Sequence, residues 1–218
     1  FETGRPDGIY GPQTAQAVSR LQSDRGLAED GVGGPEGVTE LRLVTRGKLG
    51  TGRETVRERE WMRSLPRSVV GTRVYFDPAG RTPLEAASAW EATTAAALSF
   101  QDEGGLPIIS RSADVVTPER VRARRANRLG AELVIGFQFP DPNSVDRIYF
   151  FETGGARSES GALLAAALSE VFHVQPEGRA TPLLRETRAA AAIVSLEHLG
   201  AASGFSAVEG IKLFFGQD

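Results

Sequence analysis

The chain has 218 residues, 40% of them hydrophobic, enough to bury the core of one medium domain beside a small one. Its 25 basic and 28 acidic side chains leave a net charge of −3, which excludes a whole-molecule field favouring nucleic acid or an anionic membrane. Cysteine is absent, excluding disulfides, thiolate metal sites and a cysteine nucleophile; no apolar run approaches the roughly 20 residues of a membrane span.

Residues 1–45 hold two turn phrases of one design, "DGIYGPQT" from Asp7 and "EDGVGGPEG" from Glu29. Between them, Ala17, Val18, Leu21 and Gln22 recur at helical spacing in a segment that starts after Gly11-Pro12 and stops at Gly26. A further helix is expected from Val38. The spacing predicts a small all-α module whose Asp-Gly and Gly-Pro pairs set its turns, a task that needs no ligand.

Residues 46–71 read as a charged connector with a helix at 53–64. Its Arg/Glu mixture describes a solvated face, and Trp61, Met62 and Leu65 offer apolar contacts to the following domain. From Arg73 the pattern alternates. Strands are expected at 74–76, 107–110, 133–139, 147–151 and 192–196, and helices at 83–102, 118–129, 159–172 and 206–215. Such alternation predicts an α/β domain over 72–218, a mostly parallel sheet with helices on both faces. "TPLE" sets Thr82 as cap, Pro83 as first helical residue and Glu85 at the reciprocal capping-box position; "TPER" at Thr117 and "SAVE" at Ser206 repeat the theme. In the Arg-rich helix "PERVRARRANR", Arg120, Arg124 and Asn127 or Arg128 share one face, read as solvated.

The first 45 residues resemble the peptidoglycan-binding repeat, through Asp7, Gly8, Tyr10, Gly11, Thr14, Leu21, Gln22, Gly26, Asp30, Gly31 and Pro35, with Gly37 at a usual Thr position. The resemblance implies a three-helix module whose first helix would precede Phe1, and makes Asp7, Tyr10 and Asp30 candidate ligand contacts.

The second half resembles the zinc-dependent N-acetylmuramoyl-L-alanine amidases. The matches are Asp77-Pro78, the run Glu119, Arg120, Ala126, Asn127, Gly130, Ala131, Glu132, Leu133, and the phrase Leu184, Arg185, Thr187. The family's motifs put its zinc ligands at positions 80, 85 and 138 and its general base at 195. Here those positions hold Gly80, Glu85, Gln138 and Ser195, so only one ligand survives. Catalytic zinc takes three protein ligands and an open water position; glycine offers no donor and Gln a weak neutral one. The resemblance therefore implies a vestigial site without catalytic residues, metal or cofactor, which leaves Glu85 the local role of a helix cap, bonding back to the backbone N–H of Thr82. Arg185 joins the candidate ligand contacts. An alternative keeps zinc amidase activity at a displaced site using His173, His198, Glu85 or Glu197, the last reached by a two-residue slip of the final strand.

Taken together, the two halves are similar to actinobacterial amidase-like regulators of peptidoglycan precursor synthesis. That similarity implies a pseudoenzyme whose partner is a precursor enzyme or a muropeptide. A cytoplasmic location is expected, with cell-wall association as the alternative.

Overall fold

A computed structural model describes residues 11–24, 29–34, 68–110 and 117–216. Asp7, Tyr10, the helix expected from Val38 and the connector helix at 53–64 lie outside the described residues. The chain divides into two compact units, Phe1–Glu54 and Thr55–Asp218.

In the first unit, helix α1 (Pro12–Asp24) opens with Ala15 N–H donating to Gly11 O at 3.0 Å and buries Ala17 and Leu21 on one face. Gln22 is buried as well, and its role is in the turn. Its Oε1 accepts from Gly31 N at 2.9 Å, while its Nε2 donates to Asp30 Oδ1 at 2.7 Å and to Val32 O at 3.1 Å. Asp30 Oδ1 also takes Val32 N–H at 2.9 Å, closing an Asx turn. Gly31 has φ +66°, a conformation that suits glycine, and a side chain there would lie 3.2 Å from Ala15 O.

The second unit is built on strands β1 (Arg73–Pro78), β2 (Leu106–Ile109), β3 (Leu133–Gln138), β4 (Arg147–Thr153), β5 (Ala156–Arg157), β6 (Pro176–Arg179) and β7 (Ala190–Ser195). They run in the order β2-β1-β3-β7-β4-β5, with β6 also paired to β4. β2, β1, β3 and β7 are mutually parallel, and β4 lies antiparallel to β7. The helices are α2 (Pro83–Asp102), α3 (Glu119–Arg128), α4 (Glu159–Phe172), α5 (Pro182–Glu186) and α6 (Ala201–Gly216).

Strand alternation sorts side chains to the two faces. Val74, Phe76, Leu133, Ile135, Phe137, Ile148 and Val194 join α2, α4 and α6 in one core. Tyr75, Val134, Tyr149 and Ile193 face α3 and α5 in the other, through Ala123, Ala126, Leu183 and Leu184. The sheet is covered on both faces, as the alternating pattern predicts.

Some boundaries differ from expectation. The last helix begins at Ala201 rather than 206, because "AASG" supplies close-packing residues: a side chain on Gly204 would lie 2.2 Å from Ala92 O. Ser206 is therefore interior and caps nothing. α3 has Pro118 at its cap without a side-chain bond, so Thr117 does not play that part. β5, β6 and α5, each five residues or shorter, carry too few positions for a periodicity and were not foreseen.

Candidate functional site

In parallel sheets, ligands gather at the carboxyl ends of the strands. Here β1 ends at Pro78, beside Phe137, and Ala79 N–H donates to Phe137 O at 2.9 Å. Gln138 and Ser195, the last residues of β3 and β7, are register partners. The strand ends thus bring positions 80, 138 and 195 to one edge, and the first turn of α2 adds Glu85. A cleft of about 220 Å³ opens there, lined by Gly80, Arg81, Glu85, Glu119, Gln138, Asp141 and Arg179 among others. Ser195 lies beneath it, fully buried, and its hydroxyl has no hydrogen-bond partner.

Gly80 packs its backbone on the start of α2. A Cβ there would lie 2.3 Å from Ala86 N, 2.6 Å from Ala86 Cα and 2.7 Å from Glu85 C, all backbone atoms with little freedom to yield. The position leaves no room for a side chain.

Glu85 is engaged by its neighbour. Arg81 reaches it with both arms of the guanidinium, Nη2 to Oε1 at 3.0 Å and Nε to Oε2 at 3.2 Å, and with its backbone N–H to Oε2 at 2.8 Å. Thr82 Oγ1 accepts from Glu85 N at 3.2 Å, so Thr82 caps α2 as expected; the strongest return bond of the carboxylate goes to Arg81. The Arg81 side chain holds the Glu85 carboxyl below its usual range, against an opposing effect of partial burial. Arg81 also donates to Pro140 O at 2.7 Å and approaches Asp141 Oδ1 at 3.5 Å. Asp141 in turn takes Arg179 Nη2 at 2.5 Å, and Arg179 lies over the Tyr149 ring at 4.8 Å from its centroid. The hydrogen bond to Asp141 raises the pKa of Arg179. A chain of charges therefore joins the β1–α2 turn, the β3–β4 loop and the end of β6.

Below the cleft, Asp77 is buried and ion-paired with Arg122 of α3. Glu119 Oε2 accepts from Leu183 N at 3.1 Å, at the start of α5. Asn127 clamps α3 to the α5–β7 segment, donating to Glu186 O and accepting from Arg188 N, both at 2.8 Å; Arg120 donates to Glu186 Oε1 at 2.8 Å. The Arg-rich helix is thus docked through Arg122 and Asn127, while Arg120, Arg124 and Arg128 are exposed, in keeping with the solvated description of that face. Arg185 is exposed on α5, bonded to Glu186 Oε1 at 3.4 Å and away from the cleft lining. Asp30 Oδ1 is committed to its turn, whose Val32 N–H and Gln22 side chain lower the pKa of the carboxyl.

The residues at the cleft do not fit zinc. Gly80 has no room for a donor, Gln138 supplies a neutral amide, and the Glu85 carboxylate is held in an arginine fork. Among the described residues no three His, Cys, Asp or Glu side chains gather in the manner of a metal site. His173 sits at the left-handed C-cap of α4, φ 55°, and His198 lies exposed past the end of β7. Glu197 stands beyond the strand, its N–H donating to Asp146 Oδ1 at 2.8 Å, so the observed register keeps Ser195 beside Gln138. Arg81, Asp141 and Arg179 were not foreseen. Only Arg81, four residues before Glu85 at a helix start, carried a local signal.

This strand order and cleft define the class: the second unit has the fold of N-acetylmuramoyl-L-alanine amidases. It matches Ami1 of Mycobacterium smegmatis with a TM-score of 0.57 at 14% identity, covering 69% of this chain and all (100%) of that one. It matches the catalytic domain of CwlV from Bacillus (Paenibacillus) polymyxa var. colistinus with 0.53 at 12% identity, covering 66% and 95%. Residues 1–41 match the family model described as a putative peptidoglycan binding domain. Across both units the chain is similar to the N-acetylmuramoyl-L-alanine amidase CwlM of Mycobacterium tuberculosis, 29% identical over 214 residues and covering 86% of this chain. The chain spans about half, 52%, of the length of that curated relative.

Proposed function

We propose that this protein is a non-catalytic member of the amidase-like group, acting in peptidoglycan metabolism by binding a muropeptide or an enzyme of precursor synthesis. The observation that carries this reading is the backbone packing of Gly80 on Ala86, which leaves no space for a metal-binding side chain at the end of β1. The fork of Arg81 on Glu85 supports it, because a carboxylate already held by a guanidinium gains little by exchanging it for a metal. Without bound metal, water keeps a pKa far above neutrality, and Ser195 offers no carboxylate to take its proton. The cell-wall direction of the reading rests on the match of residues 1–41 and on the similarity to CwlM.

The test pairs metal analysis with binding. The purified chain should hold no stoichiometric zinc and release no stem peptide from muropeptide, while calorimetry detects either a muropeptide or a precursor enzyme captured from native lysate. Stoichiometric zinc, lost together with muropeptide release on His198→Ala, would overturn the proposal. Absence of binding to both candidates would remove the binding role.

A further inference from the structure

Two guanidiniums from different elements, Arg81 in the β1–α2 turn and Arg179 at the end of β6, meet on one carboxylate, that of Asp141 in the β3–β4 loop. Each takes its own oxygen: Arg81 Nη1 stands 3.5 Å from Oδ1, and Arg179 Nη2 donates to Oδ2 at 2.5 Å. All three side chains line the cleft. Planar donors that share out the two oxygens of one carboxylate make a seat for that group.

We propose that this seat recognises a carboxylate of a peptide ligand, and that Asp141 fills it as a tethered stand-in until the ligand displaces it. The proposal deepens the reading of the cleft as a binding site and rests on it. Three observations carry it.

First, the seat does not depend on Asp141. Arg81 is fixed by the Glu85 carboxylate, through Nε and Nη2, and by Pro140 O. Arg179 is fixed over the Tyr149 ring, 4.8 Å from its centroid. With the Asp141 side chain swung aside, both guanidiniums keep these supports.

Second, the present occupant is loosely held. The Asp141 side chain is 50% exposed, in a loop whose residues 141–145 all face solvent. Its backbone is tied separately, with Ser144 N–H donating to Asp141 O at 2.9 Å, so rotation of the side chain leaves that turn intact. Exposed ion pairs of this kind are screened by salt and contribute little. Glu85 differs: its side chain is 19% exposed and takes three bonds from Arg81. An incoming anion therefore replaces Asp141 and leaves Glu85 in place.

Third, charge selects the kind of anion. The lining holds two guanidiniums against the carboxylates of Glu85, Glu119 and Asp141. A ligand carboxylate that takes the place of Asp141 restores the same balance, whereas a phosphate monoester, with a charge of about −1.5 to −2, exceeds it. The cleft volume of about 220 Å³ suits the end of a short peptide.

The test is calorimetry on the full chain at low, constant ionic strength, with two probes: N-acetyl-alanyl-alanine carrying a free carboxylate, and the same dipeptide as its C-terminal amide. Asp141→Asn keeps the shape of the side chain and removes its charge at an exposed position, and unchanged far-UV circular dichroism verifies the fold. The variant should bind the acid about tenfold more tightly than wild type, because the internal competitor is gone, and should not bind the amide. Adding Arg179→Gln should abolish the gain. Equal affinity of wild type and variant for the acid overturns the proposal, as does a variant that binds neither probe or binds both alike. A gain that survives Arg179→Gln places the carboxylate elsewhere and overturns it too. Tighter binding of inorganic phosphate than of the acid by Asp141→Asn assigns the seat to phosphate and overturns the carboxylate assignment. None of these arms measures zinc or muropeptide cleavage, so the seat and the non-catalytic reading fail separately.

Discussion

Gly80→Ala tests the packing on which the functional reading stands. The added Cβ would meet Ala86 N at 2.3 Å, Ala86 Cα at 2.6 Å and Glu85 C at 2.7 Å. Unstrained contacts between heavy atoms lie near 3.5–4.0 Å, so the turn and helix must separate by about 1 Å. The helix cannot yield freely, since Ala89, Ala92 and Ala96 of α2 are fully buried against the sheet and α6. Overpacking of this kind costs about 1–3 kcal/mol. For a domain of this size, each kcal/mol lowers Tm by about 2–4 °C, giving a fall of roughly 2–12 °C by scanning calorimetry. An unchanged Tm would refute the reasoning: the turn would then have room for a side chain, and the absence of a ligand at position 80 would be a matter of residue identity alone.

Other perturbations reach the surrounding network. Arg81→Met should cost about 1 kcal/mol or less at neutral pH, because its side chain is 47% exposed and the ion pair is screened. Glu85 has a folded pKa lowered from 4.5 chiefly by Arg81, so its contribution is complete above that value and lost as pH falls through the folded one. The difference between wild type and variant in urea titrations should accordingly shrink from pH 7 to pH 3, and a difference that grows on acidification contradicts the pairing. Arg122→Met leaves the buried Asp77 carboxylate without its guanidinium and should cost about 3–5 kcal/mol, while the double variant with Asp77→Leu recovers part of that loss. Asn127→Ala removes the two bonds that hold α3 to Glu186 and Arg188 and should lower stability by about 1–3 kcal/mol by denaturant titration.

Local signals made much of the domain legible. "VYFDP" reads as a buried strand and forms one, and "TPLE" names the start of α2 to the residue. The strands expected at 133–139 and 192–196 form over Leu133–Gln138 and Ala190–Ser195, and their pairing aligns Gln138 with Ser195. What stayed hidden depends on partners distant in the chain. Arg122 reads as one arginine among several until the fold sets Asp77 beneath it, 45 residues earlier. Asp141 shows no pattern in "PDP", yet it joins Arg81 to Arg179 across the mouth of the cleft. The early start of α6 was missed because "AASG" has weak apolar periodicity; its small side chains are chosen for close approach to α2.

Installing at these positions the residues that the amidase motifs carry separates absence of donors from absence of space. Gln138→His places an imidazole in the cleft lining, and Ser195→Glu returns a carboxylate to a fully buried strand end paired with Arg147 of β4. Together with Glu85 these changes offer two metal donors and a base, one ligand short of a catalytic zinc site. Gly80→His must supply the third, and it enters where backbone atoms already stand within 2.7 Å of the first side-chain carbon. The triple variant should melt lower than the double variant and still bind no stoichiometric zinc by elemental analysis. A triple variant that keeps the wild-type Tm and binds one zinc would show that residue identity alone, and not space, keeps metal from the cleft. Failure to bind zinc would instead place the obstacle in the main chain: with the β1–α2 turn packed on the helix and Arg81 bonded to the Glu85 carboxylate, replacement of side chains at the four positions opens no room for a metal.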